Sequence, residues 1–146
     1  MTVKIFQNDT ITILGRHDLL VAGRRIQRSD LQSVRYTVFE TESLQSGVFV
    51  PVPEFENVEV PVHVCFFDEL QDITIQYDIG GSSTASRTVE ANCVLVIAPS
   101  VQTSGDGTQT FYPLRTKGMF YRVVIYFELN DPTIAPFTHT EEIEAT

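Results

Sequence analysis

Along most of the chain, apolar and polar positions alternate with a period of two, the spacing of a strand that buries one face. ITIL (residues 11–14) alternates, and so does the segment from Val34 to Phe39, where Val34, Tyr36 and Val38 interleave with Arg35 and Thr37. VEVPVHVCFF (58–67) puts Val58, Val60, Val62, Val64 and Phe66 on one face and predicts a single long strand, with Pro61 marking an edge or a bulge. DITIQYDI (72–79) alternates again, and NCVLVIAP (92–99) is apolar on both faces, as a central strand is. MFYRVVIYFEL (119–129) carries the strongest signal, with Tyr121, Val123, Ile125, Phe127 and Leu129 on one face and a mixed set on the other. GVFVPVP (47–53) is rich in β formers. Pro51 and Pro53 cannot donate ladder hydrogen bonds, so it belongs at a sheet edge or just leaving one.

Between these runs, IGGSSTAS (79–86) and SGDGTQ (104–109) read as Gly/Ser loops and Thr116-Lys117-Gly118 as a turn. No stretch keeps a helical period for three turns. Roughly seven to nine short strands with turns at such intervals predict an all-β chain, a single antiparallel β-sandwich of immunoglobulin-like or jelly-roll type. The sandwich is expected over residues 1–130. After Asn130 the alternation dissolves into DPTIAPFTHTEEIEAT, which predicts an acidic, extended C-terminal arm over 131–146. That arm either frays or lies on a neighbour, with Phe137 as a candidate contact.

Two places break the strand rhythm. SDLQS (29–33) starts like a helix, with Ser29 and Asp30 as capping residues, and then feeds directly into VRYTVF. DELQD (68–72) has the same make-up, an Asp followed by a Leu. Both are expected to be one-turn helical plugs that set Leu31 and Leu70 over the open ends of the sandwich.

Composition narrows the class. The chain has 146 residues, 42% of them apolar, enough for one domain with a real core. Its formal charge of −9 and only ten Lys and Arg disfavour nucleic acid, whose phosphates need clustered cations. No run of about 18 apolar residues suggests a membrane span, and the N-terminus lacks the apolar stretch of a signal peptide, so assembly in a cytoplasm is expected. Cys65 and Cys93 lie within apolar runs and read as buried free thiols.

Catalytic patterns are thin. His17 beside Asp18 resembles half of a triad, but neighbours in sequence point apart. His63 and Cys65 would share one face of the predicted long strand, where two half-buried neighbours are the ordinary outcome. His139 falls in the tail and reads as solvent-exposed. Neither cysteines nor histidines cluster as metal ligands, and Asp106 alone is far short of a calcium site. The expectation is a protein that is not an enzyme and carries no cofactor or metal. Five of the ten cations lie between Arg16 and Arg35. Arg24, Arg25 and Arg28 form either a basic patch for an acidic partner surface or a solvated polar connection. Phe111 and Tyr112, in QTFYPL, are candidates for an aromatic contact with a glycan or receptor.

The order of blocks ITILGR, IQRSDLQSVRYTVFE, VCFFDELQ, NCVLVIAP and GMFYRVVIYFEL resembles that of small β-sandwich proteins encoded among the virion genes of tailed phages and prophages. The likeness is one of pattern and spans roughly residues 11–129. It implies a non-enzymatic structural part of a virion, foremost a capsid decoration or cement protein bound to the major capsid protein. Neck, tail or baseplate components and a glycan- or receptor-binding module are the alternatives. It also implies homo-oligomers, with neither nucleic acid nor membrane as partner.

Overall fold

The computed structural model describes residues 2–5, 11–80, 83–97, 102–103, 110–111 and 119–145. Its strands are β1 (Thr2–Ile5), β2 (Ile11–Gly15), β3 (Leu20–Val21), β4 (Arg24–Arg25), β5 (Leu31–Thr41), β6 (Val50–Pro51) and β7 (Val58–Val60). They continue with β8 (Phe66–Gly80), β9 (Ser83–Ile97), β10 (Gln102–Thr103), β11 (Thr110–Phe111), β12 (Phe120–Leu129) and β13 (Phe137–Ala145). A single helical turn, α1 (Val62–Cys65), and three short 3-10 turns complete the described elements. The fold is all-β and sandwich-like, as the alternation predicts.

The larger sheet runs β1-β13-β12-β5-β6, with β7 also on β5; the smaller runs β2-β9-β8. The core lies between them. From the larger sheet come Val34, Tyr36 and Val38 of β5, the five predicted residues of β12, and Ile143 of β13. Ile13, Phe66, Cys93, Leu95 and Ile97 close it from the smaller sheet. Burial of this many large aliphatic and aromatic side chains is the main stabilising term, at about 1.5–3 kcal/mol for each.

SDLQS behaves much as expected, shifted by one residue. The 3-10 turn covers Arg28–Asp30, and Leu31, buried in the core, opens β5. The turn is tied from several sides. The Asp30 carboxylate accepts from the Gln27 amide at 2.8 Å, the Asp30 carbonyl from the Asn130 amide at 2.9 Å, and the Ser29 carbonyl from the Asn130 side chain at 2.7 Å.

Four expectations are corrected. DELQD is no plug. β8 runs through it with a bulge, because Phe66 faces Cys93 whereas Gln71 already faces Ala91. Leu70 is left half-buried, and Asp68 is held by the Arg28 amide at 2.8 Å. VEVPVHVCFF is not one strand either. Pro61 turns the chain, so that β7 joins the larger sheet, α1 crosses over, and β8 starts in the smaller sheet. Ser83–Ser86, expected as loop, pair with Gln76–Gly80 in a hairpin.

The fourth correction concerns the C-terminal arm. Phe137–Ala145 is a strand inside the larger sheet, antiparallel to β12 and parallel to β1. The signal was hidden because β13 shows the core little beyond Ile143 and Phe137, while Thr138, Thr140, Glu142 and their neighbours make it read as polar. The SGDGTQ loop, the Thr116–Gly118 turn and Tyr112 lie outside the described residues.

Because Ile143 is only 1% exposed, Ile143→Ala is expected to cost about 2–5 kcal/mol in urea unfolding. Deleting 131–146 should abolish cooperative unfolding, whereas a free arm would have left it unchanged.

Candidate functional site

The arginines singled out by the sequence sit around a small hairpin, β3–β4. Its two-residue turn, Ala22-Gly23, has positive φ at both positions, +53° and +79°, the turn type that matches strand twist. Val21 and Ile26 sink into the core, and the Ile26 amide donates to the Leu19 carbonyl at 2.8 Å. The remaining apolar side chains turn outward, Leu19 38% and Leu20 67% exposed.

Each of the three arginines has partners within the chain. Arg24 grips Asp30 with both guanidinium nitrogens, at 2.7 and 3.1 Å, and that hydrogen-bonded pair holds the Asp30 carboxyl below the usual range. Arg25 donates to Asp18 at 3.1 Å, and Arg16 bridges Asp18 and Glu90. Arg28 turns the other way, donating to the carbonyls of Phe66 and His63 and lying 5.5 Å over the Phe67 ring. The group is therefore not a free basic patch. Arg24 and Arg25 are paired with carboxylates and Arg28 with backbone carbonyls, and together they brace a hairpin whose stem carries the exposed Leu19 and Leu20. Exposed pairs of this kind add little stability, but they remove freedom from the side chains that carry them.

A second assembly joins residues far apart in sequence. β2 ends at Gly15, and the Asn92 side chain then clamps the next turn, accepting from the His17 amide and donating to the His17 carbonyl, both at 2.9 Å. The His17 ring lies between the sheets, with centroids 5.0 Å from Phe127, 5.2 Å from Phe137 and 5.3 Å from His139. Gly15 makes room: a Cβ there would meet His17 Nε2 at 2.9 Å and His139 Nδ1 at 3.2 Å. His139, expected in solvent, is half-buried and lies 3.4 Å from Glu141. Phe137 stacks on Phe127 at 4.6 Å and belongs to this packing rather than to a partner surface.

His17 Nε2 is buried without a hydrogen-bond partner. Burial, and the neighbouring His139, lower its pKa from 6.5 to about 4 against the opposing pull of Asp18, so the ring is neutral at pH 7. A neutral imidazole set against Phe66, Phe127, Phe137 and His139 is a packed element. Burial pushes the Cys65 thiol up to about 11 and Cys93 up to about 12, out of the reactive range. His63 is exposed while Cys65 is buried, since both lie on α1 and not on one strand face. Among the described residues no three His, Cys, Asp or Glu side chains come together as metal ligands.

The third feature was not foreseen. Glu40, Thr41, Glu42, Ser43, Ser46, Val48, Val50 and Met119 line an open groove of about 450 Å³ beside the β6 edge. Val48 and Val50 are well exposed in it. Burial, with Glu54 nearby, raises the Glu40 carboxyl above its ordinary value. The only hint in the sequence was the β-rich, proline-bearing run GVFVPVP at a sheet edge. Of the aromatic pair in QTFYPL, the Phe111 backbone belongs to β11, and its side chain and Tyr112 lie outside what is described.

No family model, curated protein or solved structure matches the chain.

A histidine whose folded pKa lies below its unfolded value favours the fold fully above the unfolded value, and this contribution is lost as pH falls. Between pH 6.5 and about 4, wild type should therefore lose stability, and His17→Leu should flatten that window. Urea midpoints at stepped pH check this, and the His17 Cε1 proton resonance should titrate near 4.

Proposed function

We propose that the chain is a non-enzymatic structural protein of a tailed-phage virion, a capsid decoration protein that holds the shell through the β3–β4 hairpin. One observation carries the docking surface: a braced hairpin with a two-residue turn that spends its ion pairs internally and still presents Leu19 and Leu20, on its stem, to solvent. Exposed leucines on a pre-ordered hairpin dock with little further loss of freedom, which is what a reinforcing contact needs. The block order shared with virion sandwich proteins supports the particle setting. The all-β sandwich supplies a stiff body for it. In this reading Arg24, Arg25 and Arg28 position the hairpin, and partner recognition rests on shape and apolar contact more than on positive charge.

Co-sedimentation with heads and with tails, separated from the particles that the neighbouring genes encode, tests the reading. Wild type is expected on heads. Leu20→Asp should lower head occupancy at least about tenfold, the scale of a central interface anchor. Its melting point should stay close to wild type, since surface changes cost about 0.5 kcal/mol or less. Retention on tails instead would move the protein to the neck, tail or baseplate. Binding to neither would overturn the virion reading, and full head binding by Leu20→Asp would overturn the hairpin as its contact.

A further inference from the structure

The longest strand pair outruns the sheet it belongs to. β2 covers β9 only over Cys93–Ile97, whereas β8 and β9 stay paired from Gln71↔Ala91 to Gly80↔Ser83. That leaves a two-stranded ribbon of about 30 Å at ~3.3 Å per residue. Its two faces differ. Ile73 opposite Val89 begins one face, and Arg87 and Ala85 follow on that face of β9. The other face has Asp72 opposite Glu90 and Thr74 opposite Thr88, whose hydroxyls meet at 2.8 Å.

Ile73 and Val89 are only half-exposed, yet neither belongs to the hydrophobic side chains packed on the core. A bare two-stranded ribbon is marginal in water, so its apolar face needs a cover. The charge pattern points to one. Arg16, Arg24, Arg25, Arg35 and Arg122 each hold a carboxylate, and Arg28 holds two carbonyls. Arg87, on the apolar face of the ribbon and exposed, pairs with no described residue. Elsewhere on the same chain, Glu40 and Glu42 line the groove with Val48, Val50 and Met119, and neither carboxylate has a described cation beside it.

We propose that the β8–β9 ribbon is an assembly arm whose Ile73/Val89 face lies in the Glu40–Met119 groove of a second copy of this chain, with Arg87 set against Glu40 and Glu42. Ile73 and Val89 meet Val48, Val50 and Met119, and Arg87, which pairs with no described residue, meets carboxylates with no described cation beside them. The raised pKa of Glu40 is what an arriving Arg would reverse. Two copies can exchange arms about a two-fold axis, or each copy can place its arm in the groove of the next, a head-to-tail contact. Such contacts close into rings when the rotation per copy permits. The inference is independent of the particle in which the protein works.

Sedimentation velocity of the full chain over a concentration series tests it. Wild type is expected to self-associate, more weakly as salt is raised. Arg87→Glu spoils the arm and Val48→Asp spoils the groove, both at exposed positions, and melting curves should match wild type. Each variant alone should associate at least about tenfold more weakly. Mixed in equal amounts they should form a one-to-one complex, because the groove variant keeps its arm and the arm variant keeps its groove. A wild type that stays monomeric at every concentration would overturn the proposal, as would variants that associate like wild type. Loss of association in both variants without rescue on mixing would also overturn it, since that is the behaviour of a two-fold contact between like surfaces.

Discussion

The antiparallel register between β12 and β5 is the constraint on which the rest of the molecule depends. It sets Tyr121, Val123, Ile125, Phe127 and Leu129 against the second sheet and runs opposite Val34, Tyr36 and Val38. A slip of one residue would send Arg122, Tyr126 and Glu128 into the core and expel the five apolar side chains, so the register is strongly specified. The other strands of this sheet are placed from there. β13 pairs with the free side of β12, β1 adds to β13, and β6 and β7 share the outer side of β5. Even the helical turn at Arg28–Asp30 takes its position from β12, because Asn130, the residue after that strand, holds both Asp30 and Ser29.

How much of this was legible in the sequence follows from how each residue is buried. Strands with one face in the core, such as β12 and β5, announce themselves by alternation. β13 does not. It lies between two other strands, yet its interior contribution comes down chiefly to Ile143 and Phe137, and backbone pairing, which is silent in sequence, does the rest. Pro61 is visible in the sequence as a mark of an edge or a bulge, but in the fold it transfers the chain from one sheet to the other. The Val58–Phe66 alternation that argued for continuity is the product of two strands and a helical turn whose buried positions happen to fall in step.

The candidate sites differ in legibility for a related reason. Arg24, Arg25 and Arg28 form a cluster in the sequence, but clustering says nothing about partners, and Asp18, Asp30 and two backbone carbonyls each accept from them. His17 and His139 are separated by most of the chain, and only the closure of the two sheets brings their rings to 5.3 Å. Gly15 was equally silent, since its role is to leave a volume that two imidazoles fill. The groove needs β5, the loop after it, β6 and Met119 together, a set that no local pattern links.

An all-β protein must deal with its open edges, and this one treats them unequally. On the larger sheet, β6 is two residues long and contains Pro51, which cannot donate to an incoming strand. That edge is thereby closed to backbone pairing, while Val48 and Val50 beside it remain available to side chains. The β8–β9 ribbon has no proline, yet Asp72 and Glu90 face each other on its polar side, so stacking two ribbons by that face would bring like charges together. Both devices act against indiscriminate sheet growth, one by removing a donor and the other by repulsion. What they leave open is narrower: a ribbon face with Ile73, Val89 and an arginine that pairs with no described residue, and a groove with Val48, Val50, Met119 and two carboxylates. With backbone addition hindered at β6 and like-with-like stacking hindered on the polar face of the ribbon, the proposed arm-in-groove contact joins unlike surfaces, Arg87 of one copy with Glu40 and Glu42 of another.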